Sequence, residues 1–94
     1  MLFTLVGTFR DCTNLKTAPT IPAGVRSVSS TFSGCSNLTG SLVINVSSLY
    51  YYSNCLKDAA TGQDCNLVIS GSAPSTVLNN ILNTKSSNSH ISLQ

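Results

Sequence analysis

A similarity of the chain to itself at a fixed offset constrains its fold more than any other feature of the sequence. Eight positions carry the same or a similar residue 23 positions further on. The pairs are Leu2/Val25, Leu5/Val28, Thr8/Thr31, Phe9/Phe32, Cys12/Cys35, Asn14/Asn37, Leu15/Leu38 and Ile21/Ile44. Repeats of about 20 to 30 residues are typical of solenoids, in which each repeat is one coil that buries its apolar face against the neighbouring coils. The period therefore predicts a short solenoid.

Each repeat changes its apolar spacing part-way along. From Leu5 to Leu15 the apolar residues are three or four positions apart, whereas the segment 17–22 is extended and contains two prolines. This change predicts a short helical or 3₁₀ turn followed by a short strand. The second repeat follows the same plan from Val25, and its strand is expected at 41–46.

The third repeat is irregular. Tyr52 to Cys55 copies Phe32 to Cys35 at a shift of 20, and the residues 56–64 then look like an inserted loop. The pattern resumes at Cys65, and Leu67 begins a predicted strand. After Pro74 the sequence changes again. Ser75 is the expected N-cap of a helix reaching about Thr84, and His90 to Leu93 form a predicted last strand.

The expected fold is an α/β repeat: a solenoid of about three irregular coils with a capping helix and strand. The predicted boundaries are a single domain 1–94 divided into repeats 2–24, 25–48 and 49–73, an insertion at 56–64 and a cap at 74–94. The predicted repeat core consists of Phe9, Cys12, Leu15, Phe32, Cys35, Leu38, Tyr52 and Cys55.

Composition indicates where such a chain works. Charged residues make up 9% of the sequence, against about 25% in ordinary soluble domains, and the surface must be built from Ser, Thr and Asn. This composition favours an extracellular or cell-surface location. The five cations are scattered, so no nucleic-acid partner is expected, and no apolar run predicts membrane insertion. A repeat that begins almost at Met1 suggests part of a longer protein, and end-to-end self-association through the open N-terminal coil is expected.

The repeat motif resembles that of a known family. The pattern Phe-x-x-Cys-x-Asn-Leu, followed by a short strand and Ile-Pro-x-x-Val, occurs at Phe9–Leu15, 21–25 and Phe32–Leu38. It resembles the BspA-like leucine-rich repeats of bacterial surface proteins, also grouped as a Mycoplasma lipoprotein-type repeat. The resemblance covers Leu2 to Leu67, and the ending is similar to the C-terminal part of such arrays. It implies a right-handed solenoid of the leucine-rich type on an exported or surface protein that acts in adhesion or recognition, without catalytic residues.

The residues themselves give little reason to expect catalysis or metal binding. The four cysteines contain no Cys-x-x-Cys pair, and a column of buried thiols is the expected arrangement, although Cys55 and Cys65 are candidates for a disulfide. His90 has no nearby carboxylate or cysteine in the sequence and is expected to be a solvated surface residue. No cofactor, metal or catalytic site is predicted.

The binding candidates lie where the repeat becomes irregular. Tyr50 and Tyr51 have no aromatic counterpart in the earlier repeats, and tyrosine is favoured at recognition surfaces. They either fill space in a degraded repeat or form a binding patch with Lys57, Asp58 and Asp64 of the insertion. The expected function is a non-enzymatic adhesion module for a host protein or glycan. The alternative is a passive spacer or a phage tail or fibre repeat.

Overall fold

The strands of the described residues form two short parallel sheets. The computed structural model describes residues 3–46 and 49–94, so the predictions made for Leu2 lie outside the described residues. Strand β1 (Phe3–Thr4) pairs with β2 (Val25–Ser27). Strand β3 (Gly40–Val43) pairs with β4 (Leu67–Ser70), which pairs in turn with β5 (Ile91–Leu93). Because all these pairs are parallel, a long crossover connection must join each strand to its neighbour.

Between the sheets run three segments of consecutive β-turns, which we call the first (5–12), second (28–35) and third (52–59) turn segments. In each one, the N–H groups of the fourth, sixth and eighth residues donate to the carbonyls three residues earlier. The third and seventh residues have positive φ, as type II turns require at their third position. The third residues are Gly7, Ser30 and Asn54, and the seventh are Asp11, Gly34 and Asp58. The predicted helical or 3₁₀ turn is therefore a series of β-turns.

The turn segments are joined side by side through their backbones. Alternate N–H groups of the first segment donate to carbonyls in the second segment or directly before it, and those of the second donate to carbonyls in the third segment or directly before it, over 2.7 to 3.0 Å. The first set runs from Leu5, Gly7, Phe9 and Asp11 to Ser27, Ser29, Thr31 and Ser33. The second runs from Val28, Ser30, Phe32 and Gly34 to Tyr51, Ser53, Cys55 and Lys57. These backbone hydrogen bonds therefore hold each segment side by side with the next.

This bonding corrects the predicted alignment of the third repeat. The fifth residues of the three segments are Phe9, Phe32 and Leu56, whereas the sequence motif placed Tyr52 opposite Phe32. Tyr52 instead begins the third segment and matches Leu5 and Val28. The true offset between the second and third segments is thus one β-turn longer than the match between Cys35 and Cys55 suggests.

The same register changes the interpretation of residues 56–64, which do not form a protruding loop. Leu56, Ala59 and Ala60 have no solvent-exposed surface. The Ala60 N–H donates to the Cys35 carbonyl, and the Ala60 carbonyl accepts from the His90 N–H. The segment is paired on both sides because it continues the third row of turns.

The core is deepest in the middle of the molecule. Phe32, Cys35 and Leu38 are almost fully buried, and Cys55 is buried in the third segment. Their first-segment counterparts pack against the second segment on one side, so Phe9 and Leu15 are half-buried. Cys12 is exposed, contrary to its predicted core position, for the same reason. Tyr52 is half-buried and packs against the core.

The helix α1 (Ser75–Leu82) contacts β4 and β5, and its Asn80 side chain donates to the Tyr52 hydroxyl of the third segment. Its N-cap residue is Pro74 rather than the predicted Ser75, and no side chain caps the first turn. Leu78 and Ile81 are buried, as expected for the inner face of an amphipathic helix. The helix ends before Thr84, and residues 83–90 carry the chain to β5.

Candidate functional site: a tyrosine-lined groove

An open groove of about 400 Å³ lies between the start of the third turn segment and α1. Its lining consists of Tyr50, Tyr51, Tyr52, Ser53, Asn80 and Thr84. None of these six residues carries a formal charge. Two of them, Asn80 and Thr84, come from the C-terminal cap, and nothing in the sequence singled them out because isolated polar residues near a helix end are ordinary surface residues.

The backbone fixes the position of Tyr50 and Tyr51. Both N–H groups donate to the Arg26 carbonyl, over 3.0 and 3.2 Å respectively. Both tyrosines nevertheless remain 64% exposed. Tyrosines exposed to this extent do not fill space in the core, as the packing alternative expected. They are held at the edge of the groove with their rings available for contact.

Arg26 contacts the ring of Tyr50 at the edge of the groove. Its guanidinium carbon lies 5.6 Å from the centroid of the Tyr50 ring, within the range of a cation–π contact. The Arg26 Nε is buried and has no hydrogen-bond acceptor in the described part of the chain. Arg26 as a whole is half-buried, and the Tyr50 ring lies against its guanidinium group. Arg26 was not selected from the sequence because its role follows from the parallel pairing of residues 27 and 51.

Tyr52 and α1 are joined directly across the groove. The Asn80 amide Nδ2 donates to the Tyr52 hydroxyl over 3.0 Å, and this bond is exposed. The Thr84 hydroxyl accepts from the Leu56 N–H over 3.0 Å and donates to the Ile81 carbonyl over 2.7 Å. These bonds hold the cap in a fixed position relative to the third turn segment, so the groove has a defined shape.

The charged binding candidates do not belong to this groove. Lys57, Asp58 and Asp64 are exposed, and none of them is among the groove residues. The Asp58 carboxylate accepts from the Ser86 hydroxyl over 3.0 Å, and the Asp58 N–H donates to the same hydroxyl over 2.9 Å. Asp58 thus has a structural role in attaching the cap.

The cysteines are free thiols, including the suspected pair Cys55 and Cys65. Burial raises the pKa of the Cys55 thiol to about 12, and burial is also the main cause of the raised pKa of Cys35. A thiol with a raised pKa is a poor nucleophile at neutral pH. The Cys35 thiol donates to the Phe9 carbonyl over 2.9 Å, which is a packing contact between the first two turn segments.

His90 is exposed and contributes its backbone to pairing between the cap and β4. Within residues 3–46 and 49–94 no group of three His, Cys, Asp or Glu side chains is arranged to hold a metal ion. In the same ranges, no helix has both the length and the apolar character needed to cross a bilayer.

Comparison with protein-family models, with curated proteins and with solved structures found no match. The function is therefore proposed from the residues and their geometry.

Proposed function

We propose that the chain is a non-enzymatic recognition module of an exported bacterial surface protein, which binds a host protein or glycan through the tyrosine-lined groove. The observation that carries this proposal is the pair of adjacent tyrosines, Tyr50 and Tyr51, which are held by the Arg26 carbonyl and left 64% exposed beside the groove. Rigid aromatic side chains with a polar tip are favoured at binding surfaces.

The same proposal includes a fold and a location. The three rows of turns, each bonded to the next through its backbone, support a short solenoid of the leucine-rich type, in which the groove lies at the cap. The low charge content and the Ser, Thr and Asn surface support an extracellular setting. The resemblance of the Phe-x-x-Cys-x-Asn-Leu motif to BspA-like repeats supports adhesion.

A passive spacer or a phage fibre repeat is the second candidate. It is favoured by the scarcity of charge and by the position of Lys57, Asp58 and Asp64 outside the groove. A spacer needs only a stable fold and a soluble surface. Under this alternative the exposed tyrosines have no binding partner.

Binding measurements on glycan and host-protein arrays separate the two candidates. The wild-type chain is compared with the double variant Tyr50→Ala/Tyr51→Ala and with Val6→Ala, which removes an exposed apolar side chain from the first turn segment. Recognition predicts a signal that the double variant loses and Val6→Ala keeps. If the wild type gives no signal above background on either array, the spacer is the correct function.

A further inference from the structure

The first turn segment has unpaired backbone acceptors on the side that faces away from the second segment. Three carbonyls of the second segment accept from the first, and they belong to Ser29, Thr31 and Ser33. The corresponding carbonyls of the first segment are those of Val6, Thr8 and Arg10. They accept from no donor within residues 3–46 and 49–94, and all three residues are exposed. We call this side of the first segment, which carries the three carbonyls, the outer side.

Side chains of the second repeat also reach back to the first. The Thr31 hydroxyl donates to the Leu5 carbonyl over 2.7 Å, the Cys35 thiol to the Phe9 carbonyl over 2.9 Å, and the Asn37 amide Nδ2 to the Thr13 carbonyl over 2.8 Å. The first repeat has the same three residue types at the matching positions, namely Thr8, Cys12 and Asn14. All three are exposed. The first repeat thus carries the donors with which the second repeat binds its neighbour.

The turns themselves do not require these donors. The third segment has Cys55 and Ala59 at the places of Thr31 and Cys35, and it forms the same β-turns. Exposed residues of the first segment that lack such a donor role differ between the repeats. Val6 corresponds to Ser29, and Arg10 corresponds to Ser33. The shared Thr, Cys and Asn therefore indicate that the first repeat makes the same contact as the second.

We propose that the outer side is a docking surface for a further turn segment of the same repeat type, one coil upstream in the same polypeptide. The alternate N–H groups of that segment donate to the three open carbonyls, and its own carbonyls accept from Thr8, Cys12 and Asn14. A row of unpaired carbonyls is a ready site for such pairing. The half-buried Phe9 ring, which stacks on Phe32 with centroids 5.7 Å apart, is then covered on its second face. This surface is separate from the tyrosine-lined groove, so the inference goes beyond the proposed recognition function.

A second copy of this chain fits the outer side less well. Stacked end to end, it has to offer the N–H groups of its third segment. The Leu56 and Asp58 N–H groups of that segment already donate to the Thr84 and Ser86 hydroxyls of the cap. Two outer sides facing each other place carbonyl against carbonyl. An upstream coil that is not capped has its whole row of N–H groups available.

Insertion of an extra copy of residues 2–24 directly before Leu2 of the full chain tests the proposal. The added copy carries Cys12→Ser, so Cys12 of the original first repeat is the reporter, and it is exposed in the wild type. Docking of the added copy should slow the reaction of Cys12 with Ellman's reagent about tenfold or more, because its counterpart Cys35 is buried in the same contact. The matched control adds the same 2–24 residues in reverse order and should leave the rate unchanged.

The double variant Thr8→Val/Asn14→Ala separates specific docking from a loose cover. In the wild-type chain both residues are exposed, so the urea midpoint should not change. In the extended chain the same substitutions remove two donors of the new contact and should lower the midpoint.

The proposal is overturned if Cys12 reacts equally fast in the extended and control chains, or if the double variant leaves the midpoint of the extended chain unchanged. It is also overturned, in favour of self-association, if Cys12 of the wild type becomes protected as the chain concentration rises from micromolar to millimolar. A second extension, made from a copy of residues 25–47, covers the case in which the first does not fold. If neither extended chain unfolds cooperatively, the outer side does not accept a further segment. None of these outcomes affects the groove, whose function is tested on the arrays.

Discussion

The Leu56 N–H and the Thr84 hydroxyl form a 3.0 Å hydrogen bond between the third turn segment and the cap. Leu56 has no solvent-exposed surface, so its N–H has no access to water as an alternative partner. The same hydroxyl donates to the Ile81 carbonyl near the end of α1. One side chain therefore satisfies a buried donor and secures the last turn of the helix.

Substitution of Thr84 by Val should destabilise the fold by about 1 to 3 kcal/mol, because it keeps the side-chain shape but leaves the buried Leu56 N–H without a partner. Urea unfolding followed by far-UV circular dichroism measures this loss. Thr20→Val is the matched control because Thr20 is exposed, and its effect should stay within about 0.5 kcal/mol. Equal stabilities of the two variants would show that the bond does not stabilise the fold.

The aromatic pair in the first two turn segments gives a second prediction. The Phe9 and Phe32 rings are stacked, with centroids 5.7 Å apart and planes 6° apart. Phe32 is buried between two segments, whereas Phe9 is half-buried. Phe32→Ala should therefore cost about 3 to 5 kcal/mol in the free energy of unfolding, and Phe9→Ala clearly less. A loss below about 1 kcal/mol for Phe32→Ala would contradict the stacked arrangement.

Two glycines test how closely the chain approaches itself. Gly71 has φ +127°, and a Cβ there would collide with the backbone of Ile44, whose N–H and carbonyl are both hydrogen-bonded. Gly40 has φ +91° but open space around its missing Cβ. Gly40→Ala should lose about 1 to 2 kcal/mol from backbone strain alone. Gly71→Ala should lose considerably more, which thermal and urea unfolding would detect, and equal losses would exclude a backbone collision.

The sequence predicted several elements in nearly the right places but misidentified the turns. Strand β4 begins where it was predicted because Leu67 to Ile69 form a short apolar run, and helix α1 lies within its predicted range because its apolar residues recur every three to four positions. Consecutive β-turns produce that helical spacing too, as Leu5 and Phe9 or Val28 and Phe32 illustrate. The positive φ at Asp11, Ser30, Asn54 and Asp58 distinguishes the two, and those residue types do not require it.

The candidate site was predictable only in part. Tyr50 and Tyr51 were identifiable because the earlier repeats have no aromatic residue there, and the structure leaves both exposed. The contribution of Asn80 and Thr84 was not, since it depends on how the cap packs against the third segment. The sequence motif also pairs Tyr52 and Cys55 with Phe32 and Cys35, so it does not show that Leu56 is the counterpart of Phe32. Residues that continue the core therefore look like an insertion in the sequence.

The buried Cys55 thiol links stability to pH in a direction that can be checked. Burial raises its pKa from the ordinary value of 9.0 to about 12, so the folded chain keeps a proton that the unfolded chain releases above about pH 9. The contribution of this thiol to stability is therefore complete below pH 9 and is lost as the pH rises towards 12. Urea unfolding of the wild type and Cys55→Ala should show a difference in stability that falls by up to about 1.4 kcal/mol per pH unit between about pH 9 and 11. The difference between the wild type and Val6→Ala, which changes no titratable group, should remain constant over the same range. A constant difference for Cys55→Ala as well would mean that the folded state exposes this thiol to water.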